Sequence, residues 1–192
     1  MNKLRVSTLS TPPRRTVLGG IVGLAGLSFA APALAATASK ATFTSMLRGN
    51  APPANTGSKA TGNARLVVDM AAQSVDLDLQ VVGITIAQLW DQLKAQPIGP
   101  VHIHHYGSMA HMNDPSVSLV LPVPFGFAYS ATADGFAVSL KGYSYAAGAA
   151  LLNSKVSFAD FMASMRAGLL ALNVHTNAYQ DGEINGPIVP AA

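Results

Sequence analysis

The residues best equipped for chemistry in this chain are its five histidines, His102, His104, His105, His111 and His175, four of which fall within ten residues. In an extended strand, side chains two positions apart share a face, with Cα atoms about 6.6–7 Å apart. His102 and His104 can therefore converge on one ion while His105 faces the other way. His175, in a second apolar stretch, completes a three-imidazole set if the two strands are neighbours. Neutral imidazole suits zinc, copper, iron and nickel. The competing role for each ring is structural, because a partly buried histidine also serves to satisfy backbone carbonyls. An unperturbed imidazole titrates near 6.5, so histidine ligation predicts a metal affinity that falls towards pH 5.

Other side chains stand close in sequence to these rings. Met109 and Met112 flank His111, and thioethers select cuprous ion, although methionine also fills cores and loops. Glu183, the only glutamate, follows His175 by eight residues. It can accept from an imidazole, act as a general base or satisfy loop amides. Tyr106 and Tyr179 are placed to border a site. Several chemistries are unsupported: there is no cysteine for a disulfide, zinc ribbon, iron–sulfur cluster or thiol nucleophile. No Ser-x-x-Lys, Gly-x-Ser-x-Gly or phosphate-loop pattern occurs either.

The elements that must position the histidines read mainly as strands. Residues 42–47, 64–70 and 74–82 carry strand patterns; in the last, Val75, Leu77, Leu79 and Val81 alternate with Asp76, Asp78 and Gln80. Such a strand has one buried and one wet face. Further short runs at 101–106, 116–121, 127–133 and 136–140 are divided by Pro115, Pro122, Pro124 and the hairpin pair Asp134-Gly135. Residues 169–176 and 183–189 supply the last strands. Helical spacing appears twice, in Ile86, Leu89, Trp90 and Leu93 after a capping Thr85, and in Phe158, Phe161, Met162 and Met165 after Ser157. The expected fold is all-β: an antiparallel Greek-key-like sandwich or barrel of about eight strands with two short helices.

At 192 residues, 49% hydrophobic and 11% charged, the chain is too apolar for a disordered tail and suits one domain. The formal charge of +3 is a property of the amino terminus. Lys3, Arg5, Arg14 and Arg15 lie in the first 35 residues, which hold no acid, so eight basic groups face nine acidic ones in the remainder. No basic patch is left for a phosphate backbone, which excludes nucleic acid as a partner. Arg14-Arg15, an apolar run over residues 19–30 and the small-x-small site Ala33-Leu34-Ala35 make residues 1–35 a twin-arginine export signal, with the domain at 36–192. The apolar run is shorter than the ~20 residues of a membrane span. Cleavage after Ala35 would leave a periplasmic or secreted protein with no integral span.

Several motifs together resemble one family. Phe43-Thr44-Ser45-Met46-Leu47-Arg48-Gly49, then Pro52-Pro53, Val101-His102-Ile103-His104, Leu172-Asn173-Val174-His175-Thr176 and Gly182-Glu183-Ile184-Asn185-Gly186 look like the chordin-type CHRD domain, over about residues 42–189. The resemblance implies a β-rich extracytoplasmic domain more firmly than any reaction. Three departures stand out: Asn50-Ala51 precede the prolines, Asn185 stands where the family usually has arginine, and residues 85–97 look inserted.

More distantly, Val101-His102-Ile103-His104-His105-Tyr106-Gly107 and Asn173-Val174-His175 are similar to the copper-binding strands of copper–zinc superoxide dismutases. That likeness implies a Greek-key sandwich with His102, His104 and His175 as copper ligands. The dismutases' disulfide, zinc-binding histidine cluster and anion-guiding arginine have no clear counterpart, which argues against efficient dismutation. The expected function is thus an exported protein binding a transition metal, copper with zinc as the alternative, through His102, His104 and His175. His111, Met109, Met112, Glu183 and Tyr179 are auxiliary candidates. The alternative is a metal-free module that meets a protein or glycan.

Overall fold

The computed structural model describes residues 39–51, 55–107 and 118–192. The export-signal segment 1–35 lies outside the described residues, as do Met109, His111, Met112 and the paired prolines Pro52 and Pro53. Among the described residues nine strands are formed: β1 Lys40–Arg48, β2 Thr61–Asp69, β3 Ser74–Val82, β4 Val101–His105, β5 Ser118–Val123, β6 Tyr129–Ala131, β7 Gly135–Ser144, β8 Leu170–Val174 and β9 Ile184–Pro190. All pair antiparallel in one sheet of order β5-β4-β8-β9-β1-β2-β3-β7-β6. The all-β expectation holds, with nine strands rather than about eight.

β1, β2 and β3 form because their apolar residues recur with period two. Leu66, Val68, Leu77, Leu79 and Val81 all point into the core while the residues between them stay at the surface. The Asp134-Gly135 pair makes the β6–β7 turn, closed by the Thr132 N–H donating to Gly135 O. One continuous apolar cluster takes in side chains from every strand. A sheet whose two ends share a core must curl upon itself, and this one does so as a half-barrel.

Three short helices complete the fold: α1 Asp91–Lys94, α2 Tyr145–Leu151 and α3 Phe158–Arg166. α3 matches expectation. Ser157 caps it by accepting from the Asp160 N–H at 3.1 Å, and it buries Phe161, Met162 and Met165. α2 is additional: its Tyr-Ala-Ala-Gly-Ala-Ala-Leu sequence has too little polar contrast to show a helical stripe. It packs against both β5 and β7 and so spans the gap between the two ends of the sheet. Gly148 allows this approach, since a Cβ there would stand 3.0 Å from Pro122 and 2.9 Å from Tyr143.

The single helix expected over 86–94 is divided into a 3-10 turn, Ile86–Gln88, and α1. Between them Leu89 bridges to Thr176, and the Trp90 N–H donates to His175 O at 3.1 Å. Backbone pairing with the chain after β8 takes the groups that a continuous helix would have used. Among the described residues, no helix is long and apolar enough to cross a membrane.

Candidate metal centre

β4 and β8 are neighbours in uninterrupted register, with Val101 opposite Val174, His102 opposite Asn173 and His104 opposite Ala171. This pairing decides the site. Residues directly opposite share a face, and residues two apart along a strand share it too. His102 and His104 therefore stand on the same side as Asn173 and, one step past the end of β8, His175. The intervening Val101, Ile103, Leu172 and Val174 fill the apolar core on the other side. His105 takes that other side as well, bordering a surface cleft with Leu152, Lys155 and Asp160.

One ring nitrogen from each of His102, His104 and His175 lies within 4.8 Å of the others. The His102 and His175 rings are stacked with centroids 4.4 Å apart, and the His104 ring is 4.7 Å from that of His102. Three nitrogens bound to one ion at about 2.0–2.1 Å cannot lie more than about 4.2 Å apart. The 4.8 Å bound on the three nitrogens is close to that limit, so the rings are near enough to face one ion.

Two of the rings are held by backbone carbonyls. His102 Nδ1 donates to Gly99 O at 3.0 Å and His175 Nδ1 to Gln180 O at 2.8 Å. A carbonyl only accepts, so both Nδ1 atoms carry the proton and both Nε2 atoms present a lone pair. His175 Nε2 and both ring nitrogens of His104 are out of solvent and have no hydrogen-bond partner among the described residues. This is a donor set that a cation would satisfy, with carbonyls orienting two of the rings from behind.

The electrostatics favour neutral rings. Burial pushes His102 well below the ordinary imidazole range, helped by the neighbouring His175 and His104, while the Gly99 carbonyl pulls back weakly. Burial lowers His104 to about 3, again with His175 adding to it. His175 is lowered by burial and partly restored by its bond to Gln180 and by Asp181. Proton competition for these nitrogens is accordingly moved below the range near 6.5 that the sequence suggests, because a buried cation without compensation is penalised.

The segment around 86–94 anchors the strand end that carries His175. Besides the Trp90 bond, the Asn177 N–H donates to Gln88 O at 3.0 Å, and Asn177 Oδ1 accepts from the Asp91 N–H at 3.0 Å. Asp91 is in turn paired to Lys94. The residues that look inserted in the sequence thus brace a site element.

Glu183 is engaged elsewhere. Its two carboxylate oxygens accept from Ser58 Oγ and Thr176 Oγ1, each at 2.7 Å, and its N–H donates to Val174 O. It ties the loop before β2 to the loop before β9 through these hydroxyls, not through loop amides. Tyr179 is 37% exposed and borders a surface cleft with Asn55, Thr56 and Asp181. Tyr106 is buried, its ring 6.0 Å from that of His104. Sequence reasoning missed Asn173 as a neighbour of the rings. It stands in the Leu172–Thr176 motif with no role attached, and only the strand register places it between His102 and Asn185.

The CHRD domain family model matches residues 43–188, from within β1 to within β9. No curated protein and no solved structure matches the chain.

Proposed function

The chain belongs to the CHRD-domain family, and from that premise we propose that it is an exported module that binds one transition-metal ion, copper in preference to zinc, through His102, His104 and His175. The observation carrying this reading is the gathering of three imidazole nitrogens within 4.8 Å, two of them with their tautomer set by carbonyls. Imidazole accepts either metal, and copper(II) stands above zinc in affinity for nitrogen donors. Export by the twin-arginine route to the periplasm or beyond is supported by Arg14-Arg15 and by the extracellular character typical of CHRD domains.

In this reading His102 and His175 offer Nε2, with their Nδ1–H groups on Gly99 and Gln180, and His104 supplies the third nitrogen. Three protein ligands leave a position open, and the ion would supply Lewis-acid or one-electron chemistry there. The carbonyl bonds hold the ring planes, so little side-chain entropy remains to be lost on binding.

The test is thermal unfolding of the purified protein with and without copper. A ligand bound only to the native state at one hundred times its Kd stabilises it by about 2.7 kcal/mol, or about 5–10 °C in Tm for a domain of this size. The His102→Ala, His175→Ala double variant should show no rise. An unchanged Tm in the wild-type protein would leave a metal-free binding module, and an equal rise in the double variant would remove these histidines as the copper site.

A further inference from the structure

Beside the imidazoles lies a second group of polar atoms that holding an ion does not use. Asn173 stands opposite His102 on one side and opposite Asn185 of β9 on the other, two residues before His175 on the same face. Asn173 is 1% exposed and Asn185 0%. Asn173 Oδ1 and both amide atoms of Asn185 have no hydrogen-bond partner among the described residues. Each buried polar atom left in that condition costs about 1–3 kcal/mol, and three of them stand together.

The loop after His175 closes over this pair. Gly182 sits there with φ +110°, and a Cβ on it would stand 2.9 Å from Asn185 Oδ1 and 3.7 Å from Asn173 Nδ2. The backbone at Gly182 thus covers the two amides, which are out of solvent. From the other direction comes Tyr106, two residues after His104 and 1% exposed, with its hydroxyl beside the Asn173 side chain.

We propose that Asn173, Asn185 and Tyr106 form the binding wall for a small exogenous ligand on the metal: an oxygen or nitrogen donor of two or three non-hydrogen atoms, with one end on the ion and the other hydrogen-bonded to the amides. The inference rests on the three-histidine reading above. Three neutral ligands leave the ion's charge uncompensated in a buried place, which selects an anionic donor. Amide and phenol hydrogens complement such an anion, and the amide oxygens complement any proton it retains. Walls that are 0–1% exposed admit nothing bulky.

The experiment loads the full chain with one equivalent of copper(II) and titrates azide, reading the azide-to-copper charge-transfer absorption and the electron paramagnetic resonance spectrum. Wild type should bind azide saturably. Asn173→Ala should weaken azide at least tenfold with copper affinity unchanged, and Tyr106→Phe should weaken it about threefold. Azide affinity unchanged in both variants overturns the wall. So does a parallel loss of copper affinity, which would make these residues mere supports for the imidazoles. Should Asn173→Ala not fold, Tyr106→Phe decides alone by the same criterion. Copper failing to bind wild type is a separate result that overturns the three-histidine reading and this inference with it.

Discussion

The two halves of the sheet treat polar side chains in opposite ways. In β2, β3 and β7 the polar residues alternate onto a wet face. Asp78, for instance, accepts from Ser139 and Lys141 in the open, and its bond with Lys141 is the main cause that holds its carboxyl below the ordinary range. In β4 and β8 both faces are covered: every residue of Leu170–Val174 is buried, and so are the first three of β4. A polar group on a wet face has water as a partner wherever it points. One on a covered face must find its partner in the protein or in a ligand. The histidines and asparagines of the second half stand where an unpaired atom is costly, and that is why chemistry is sought there and not along the aspartate row.

The largest test of this contrast is pH. For His102, His104 and His175 the folded value lies below that of the unfolded chain, near 6.5. Between those values the unfolded state binds more protons, so stability falls as pH drops below about 6.5, continuing for His104 to about 3. Each such ring contributes up to about 1.4 kcal/mol per pH unit. Urea denaturation of the metal-free protein should therefore show several kcal/mol lost between pH 7 and pH 5, and a His102→Gln, His175→Gln variant should show a shallower loss. Equal stability of the wild type at both pH values would mean that these rings are open to protons, as on a wet face.

Next in size are the apolar sides, where the halves should behave alike. Leu77 in β3 and Leu172 in β8 are both 0% exposed in one cluster. Truncation of either to alanine should cost about 2–5 kcal/mol in the same denaturation assay. A cost below about 1 kcal/mol for one of them would show that the halves do not share a core. Smallest is the wet face itself. Asp78→Asn removes an exposed ion pair and should cost no more than about 1 kcal/mol, less in high salt. A cost matching that of the leucines would end the contrast.

What was legible in the sequence follows the same division. β3 could be read residue by residue because alternation reports one wet face, whereas β8, covered on both sides, shows only an apolar run with Asn173 in it and His175 just after it. α2 was invisible because alanine and glycine give no stripe. The break in the helix expected over 86–94 came from Leu89 and Trp90 pairing with the chain after β8, a contact between residues more than eighty positions apart. Glu183 stood in a suggestive place, yet its partners Ser58 and Thr176 could be found only once two loops met.

By itself the sequence determined the all-β class, the CHRD membership and the shared face of His102 and His104, because a strand's two-residue period is fixed by local backbone geometry. Only the tertiary structure decided that β4 lies beside β8 with Asn173 between His102 and Asn185, and that His175 turns its ring towards the other two. Strand order and register arise from burying one apolar cluster common to all nine strands. That is a long-range condition which no local pattern encodes.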